Sequence, residues 1–131
     1  MITMTEQTKT KDNSQLLEEV LDELTRHNPD ILSALVVSDD GLNVASGIPY
    51  HNDDAVALAA SDLTDMAENF SKRLEQGKLN RILLEGEQRT TVVVRASRHT
   101  ILAVLVPADA KLGLVMLSMR RAANQIASIF V

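Results

Sequence analysis

At 131 residues and 45% apolar composition, the chain has the size of one folded domain around one core. It has no cysteine, which excludes disulfides, thiol catalysis and cysteine-ligated metal, and only Tyr50, Phe70 and Phe130 are aromatic, too few rings for a base-stacking platform. The net charge of −5 argues against nucleic acid, and it is unevenly spread: residues 1–76 hold 15 acids and 5 bases, residues 77–131 hold 3 acids and 8 bases.

Residues 1–13 are polar and patternless, so a disordered tail is expected there and a single domain over 14–131. Ser14 is a good N-cap, and Leu16, Leu17, Val20, Leu21 and Leu24 follow at helical spacing until Pro29 disfavours helix before it. Ile31 to Ser38 reads as a strand that is apolar on both faces, which implies a sheet covered on both sides. Asp39-Asp40-Gly41 is a tight turn, and Leu42 to Ser46 returns as a second strand. A loop broken by Pro49 leads to the longest helix, Asp53 to Gln76, capped by Asn52 or Asp53 and closed by Gly77.

That helix carries two stripes. Val56, Ala59, Leu63, Met66 and Phe70 share a large apolar face; Ala57, Ala60, Thr64, Ala67 and Ser71 form a small one beside it. The large stripe is expected against the chain's own sheet. The small stripe is expected to admit a second copy of the protein, so that Ala60→Arg would separate the copies; packing against a tight spot in the same chain is the alternative.

Lys78 to Glu85 is the third strand, turned by Gly86-Glu87 into the β-branched fourth strand, Gln88 to Ala96. Ser97-Arg98 turns the chain into a fifth strand, His99 to Val106. Pro107 ends it, and Asp109 is placed to cap a last helix with Leu112, Met116, Met119, Ala123, Ile126 and Phe130 on its apolar face. Short turns make neighbouring strands antiparallel. The expected class is α+β, a five-stranded antiparallel sheet with helices on both faces in the order αββαβββα.

Little in the chain points to chemistry of its own. His27, His51 and His99 have no metal-ligand spacing, and the pairs Asp39-Asp40 and Asp53-Asp54 are explained by a turn and a helix start. The phosphate-binding glycine motifs and the nucleophile elbow are absent from the sequence. The expectation is a binding module and not an enzyme, without cofactor or metal. The polar N-terminus and the lack of a membrane-length apolar run point to a cytoplasmic protein that inserts in no membrane.

The order of elements and several stretches resemble the roadblock family, of the dynein light chain roadblock type. They are Ala34-Leu35-Val36-Val37-Ser38-Asp39-Asp40-Gly41-Leu42, the small-residue helix, the strands from Asn80, and Asp109-Ala110-Lys111-Leu112-Gly113-Leu114-Val115 running into Met119-Arg120-Arg121-Ala122-Ala123. The resemblance covers about residues 14–130. It implies profilin-like layers, with the central helix on one face and the terminal helices on the other. It also implies a homodimer built from two central helices and two third strands, which places Ala57, Ala60, Thr64, Ala67 and Ser71, with Asn80, Arg81, Ile82, Leu83 and Leu84, at the interface.

Bacterial members of this length usually act on a small Ras-like GTPase, some beside a sensor-kinase-like protein. The resemblance therefore implies a non-catalytic regulator of a nucleotide cycle, with Arg120 and Arg121 as candidates for partner contact. A dimeric scaffold that bridges signalling or motility proteins without affecting hydrolysis is the alternative. A small-ligand sensor is the third, and the lack of an aromatic-lined pocket weighs against it.

Overall fold

The computed structural model describes residues 11–47 and 52–130. The expected tail falls largely on residues 1–10, outside the described residues, as do Tyr50 and His51. Three helices and five strands follow in the expected order: α1 (Asn13–His27), β1 (Ser33–Ser38), β2 (Asn43–Ser46), α2 (Asp53–Arg73), β3 (Arg81–Glu85), β4 (Arg89–Ser97), β5 (Thr100–Pro107) and α3 (Leu112–Ile129). The strands form one antiparallel sheet in the order β2-β1-β5-β4-β3, so β2 and β3 are its edges.

Alternation along the strands divides the interior in two. Ala34, Val36, Val92, Leu102, Val104 and Val106 point to one face, where α1 brings Leu17, Leu21 and Leu24 and α3 brings Val115, Met119 and Ile126. Leu35, Val37, Val93, Ile101 and Ala103 point to the other, where α2 brings the buried Ala57 and Ala60 and the partly buried Val56. One face of the sheet is thus covered by two helices with large side chains and the other by one helix with small ones.

The helix ends show which local signals prevailed. Asp12, not Ser14, caps α1: its carboxylate accepts from the Gln15 amide at 2.9 Å while the Gln15 side chain accepts from the Asp12 amide at 3.2 Å. At the other end, the buried Asn28 side chain donates to the Leu24 carbonyl at 3.0 Å, satisfying one of the orphaned acceptors. Asn52 precedes α2 but makes no side-chain cap bond, and α2 closes at Leu74, with Glu75 (φ 57°) turning left-handed ahead of Gly77. Asp109 does not cap α3, whose N-cap is Lys111.

Two turns are also shifted. The β3–β4 loop centres on Glu87-Gln88, closed by Gly86 N–H to the Arg89 carbonyl at 2.8 Å. A Cβ on Gly86 would itself sit 2.8 Å from that carbonyl oxygen, so the glycine is required by close approach. The β4–β5 turn centres on Arg98-His99, with Ser97 opposite Thr100. In the Asp39-Asp40-Gly41 turn, Gly41 has φ +81° and lies under Leu58 of α2, so the backbone demands glycine there.

Candidate protein-interaction site

The facing of α2 is the reverse of the expectation from its stripes. Ala57, Ala60, Thr64 and Ser71 are buried against the chain's own sheet and loops, with Ala67 half-buried. The large stripe faces outward: Met66 and Phe70 are 65% and 58% exposed, Ala59 is exposed, and Val56 and Leu63 are half-buried. Four of the five helix residues expected to meet a second copy are therefore enclosed in this chain.

The physical reason lies in the sheet. The strands beneath α2 already present Leu35, Val37 and Ile101, and a helix that approaches such a surface closely must offer small side chains to fill the space without overlap. The polar members of the stripe bond nearby, Thr64 Oγ1 donating to the Ala60 carbonyl at 2.8 Å and Ser71 Oγ to the Gly77 carbonyl at 3.0 Å, and the adjoining buried Ser61 donates from Oγ to the Asp39 carbonyl at 3.2 Å. Ser61 thereby ties the middle of the helix to the β1–β2 turn, and Ser71 ties its C-terminal end to the loop before β3.

What α2 leaves uncovered is a ridge of Met66, Phe70 and Leu74 at four-residue spacing, and apart from it Leu58 over the Gly41 turn, each more than half exposed. Sequence reasoning assigned Met66 and Phe70 to the core and did not single out Leu58 or Leu74. The signal that identifies them is the volume already supplied by the strands, which the helix periodicity does not contain. On β3, Asn80, Arg81, Leu83 and Leu84 are exposed and Ile82 is half-buried; Ile82 packs beside the α2-side core, so by alternation Leu84 points to that side as well. The ridge and the outer face of an edge strand therefore lie on the same side of the sheet. Arg120 and Arg121 sit on α3, exposed and on the opposite side.

A charged cluster ties the β1–β2 and β4–β5 turns to α2. Arg95 of β4 reaches Asp39 at 3.0 Å and Glu68 at 2.9 Å, and His99 Nδ1 lies 2.9 Å from the second Asp39 oxygen. The His99 bond holds the Asp39 carboxyl below its ordinary range; partial burial opposes this, and Arg95 adds to the lowering. For Arg95, burial disfavours the charged form, but the bonds to Glu68 and Asp39 outweigh it and hold the guanidinium above its ordinary value. These groups line an open depression of about 980 Å³ whose walls are mostly charged.

A carboxylate held below its unfolded value stabilises the fold at pH values above that value, and the contribution is lost as pH falls through the folded one. Asp39 should therefore add an acid-side loss of stability, falling below about pH 4, and Asp39→Asn should flatten that limb in urea titrations across pH. Equal slopes for wild type and variant would show that the cluster makes no contribution. Among the described residues, no group of three or more His, Cys, Asp or Glu could hold a metal ion, and no helix is long and apolar enough to cross a membrane.

A five-stranded antiparallel sheet between one central and two terminal helices is the layered architecture shared by roadblock domains and profilins. Residues 16–106 match the Roadblock/LC7 domain, and the chain belongs to that family. It is 35% identical over 116 residues, covering 88% of this chain and all of the other, to the uncharacterized protein MJ0310 of Methanocaldococcus jannaschii. Its fold is similar to that of the gliding protein MglB from Thermus thermophilus, with TM-score 0.82, 22% identity and 92% of each chain covered. It is equally similar to a structure of MglB with a tetrameric arrangement, with TM-score 0.83, 23% identity, and 92% of this chain and 91% of that one covered.

Proposed function

We propose that this protein is a homodimeric, non-catalytic regulator that binds a small Ras-like GTPase and modulates its nucleotide cycle. The observations that support the self-association are the exposed Met66, Phe70 and Leu74 of the α2 region and the open edge of β3, which face the same side of the sheet. Exposed apolar surface of this extent on a small domain marks an interaction site, and an edge strand is a ready template for pairing with another chain. In this reading two α2 helices lie together through their large residues, and β3 pairs with β3 of the second copy through the backbone of residues 80–84.

The helix residues at the seam are then Met66 and Phe70 in place of Ala60 and Thr64, while Asn80 to Leu84 keep their place. The GTPase reading is supported by membership of the Roadblock/LC7 family and by the likeness to MglB. The dimer acts by holding the GTPase switch loops in one conformation. Arg120 and Arg121 remain candidates for partner contact, and the reading does not extend to a sensor-kinase-like partner, which no feature of the structure supports.

The experiment mixes the purified chain with the small GTPase from the same cell and follows nucleotide hydrolysis and exchange. A change in either rate of tenfold or more is expected. Stable binding with both rates unchanged selects a scaffold that bridges larger proteins, and absence of binding to either nucleotide state defeats the GTPase reading.

A further inference from the structure

The sheet face opposite α2 carries a second unpartnered surface. Between α3 and the β3 side of the sheet runs a groove of about 470 Å³ with Arg81 and Val94 on its floor and Met116, Leu117, Arg120 and Asn124 on its wall. By alternation Leu83, 42% exposed, points to this same side, and Leu117 is 64% exposed on the wall. The groove continues over the outer side of α3 past Arg121 and Ser128.

Its charge runs against that of the chain. The protein carries −5, yet no aspartate or glutamate lines either stretch. Among the described residues, Arg120 and Arg121 make no ion pair, and Arg81 has only the Met116 sulfur, 3.5 Å from its guanidinium. Glu85 is the nearest acid along β3, four positions from Arg81, about 13 Å at the rise of a strand. Guanidiniums beside exposed leucines and a pliant methionine form a surface complementary to carboxylates beside apolar side chains.

We propose that this groove docks an amphipathic helix of another protein, with leucine-type residues on one face and glutamates or aspartates on its flanks. The free backbone groups of β3 point in the plane of the sheet and not up into the groove, so the groove offers side chains, which suits a helix laid alongside α3 and not an added strand. The 18 residues of α3 give a wall of about 27 Å, long enough for a docked helix of four to five turns. The apolar face of the incoming helix covers Leu117 and Met116, and its carboxylates reach Arg81 and Arg120. The groove lies on the side of the sheet away from α2, and its floor strand β3 pairs with the second copy in the proposed dimer through backbone groups in the plane of the sheet, so the side chains of Arg81 and Leu83 still face the groove.

The test uses a fluorescein-labelled 18-residue peptide with leucines at helical i, i+4, i+7 and i+11 spacing, glutamates flanking them and alanines elsewhere, read by anisotropy with the full chain. Saturable binding is expected. A peptide with lysines in place of the glutamates should bind at least tenfold more weakly, and Arg81→Glu/Arg120→Glu should reverse that preference. Leu117→Asp should weaken the acidic peptide tenfold or more with an unchanged melting curve. No binding, equal affinity for the two peptides, or affinity indifferent to these substitutions overturns the proposal. A fall in mass of the Leu117→Asp protein by light scattering would also overturn it, because a second copy would then occupy the groove. Acidic peptide bound while GTPase turnover stays unchanged leaves the groove in place and removes only the GTPase reading.

Discussion

Ala60→Arg is expected to unfold the protein, whereas Phe70→Arg is expected to leave the fold intact and, in the proposed dimer, to halve the mass seen by light scattering. Both residues belong to α2, and helix periodicity alone does not say which of them meets the sheet. Ala60 is 4% exposed and packs with Leu35, Val37 and Ile101. An arginine there overfills a close-packed site and buries a charge with no acid to pair it, a loss of at least about 4 kcal/mol from a total of roughly 5–15 kcal/mol. Phe70 is 58% exposed, so arginine there keeps its charge in water.

Urea denaturation of the two variants reads the first difference, and light scattering reads the second. An Ala60→Arg protein that folds with wild-type stability would restore the small stripe to the outside of the molecule. A Phe70→Arg protein with unchanged mass would remove α2 from the seam between copies.

Met119→Ala lowers stability by about 3 kcal/mol, while Leu117→Ala changes it by less than about 0.5 kcal/mol. The two positions are two residues apart on α3, which turns them to different sides of the helix. Met119 is wholly buried among the side chains that α1, α3 and the sheet share, and its removal leaves a cavity the neighbours fill only in part. Leu117 stands in the open groove. Similar losses at both positions would mean that α3 is rotated from the orientation described above, and the groove would close with it.

The element order was legible because each element carries its own signal. The leucine spacing of α1, the doubly apolar β1 and β5 and the β-branched β4 all mark local periods that survive folding. Boundaries shifted where two residues competed for one role. Asp12 captured the cap of α1 from Ser14 because Gln15 completes the reciprocal pair, and Glu75 took the left-handed position ahead of Gly77.

The facing of α2 was not legible for a different reason. A stripe of large residues states that something will cover it; only the neighbouring surface states what. Here the strands supply Leu35, Val37 and Ile101, and the helix supplies alanines to match. The assignment thus depends on volumes contributed by residues 35–37 and 101–103, far from 57–71 in the chain. The Arg95 cluster was hidden likewise, since Asp39, Glu68 and His99 meet it from three separate elements.

The two edges of the sheet are unequal. β2 has only four residues, and its register with β1 slips between Val36 and Val37, while β3 offers five residues in unbroken register with β4. A short, irregular border is a poor template for a further strand. Growth of the sheet is therefore one-sided: once β3 meets β3 of a second copy, each outer border is a β2, and the array closes at ten strands without adding a third chain. In the proposed dimer, one sticky border would serve self-recognition without polymerising the chain into fibres.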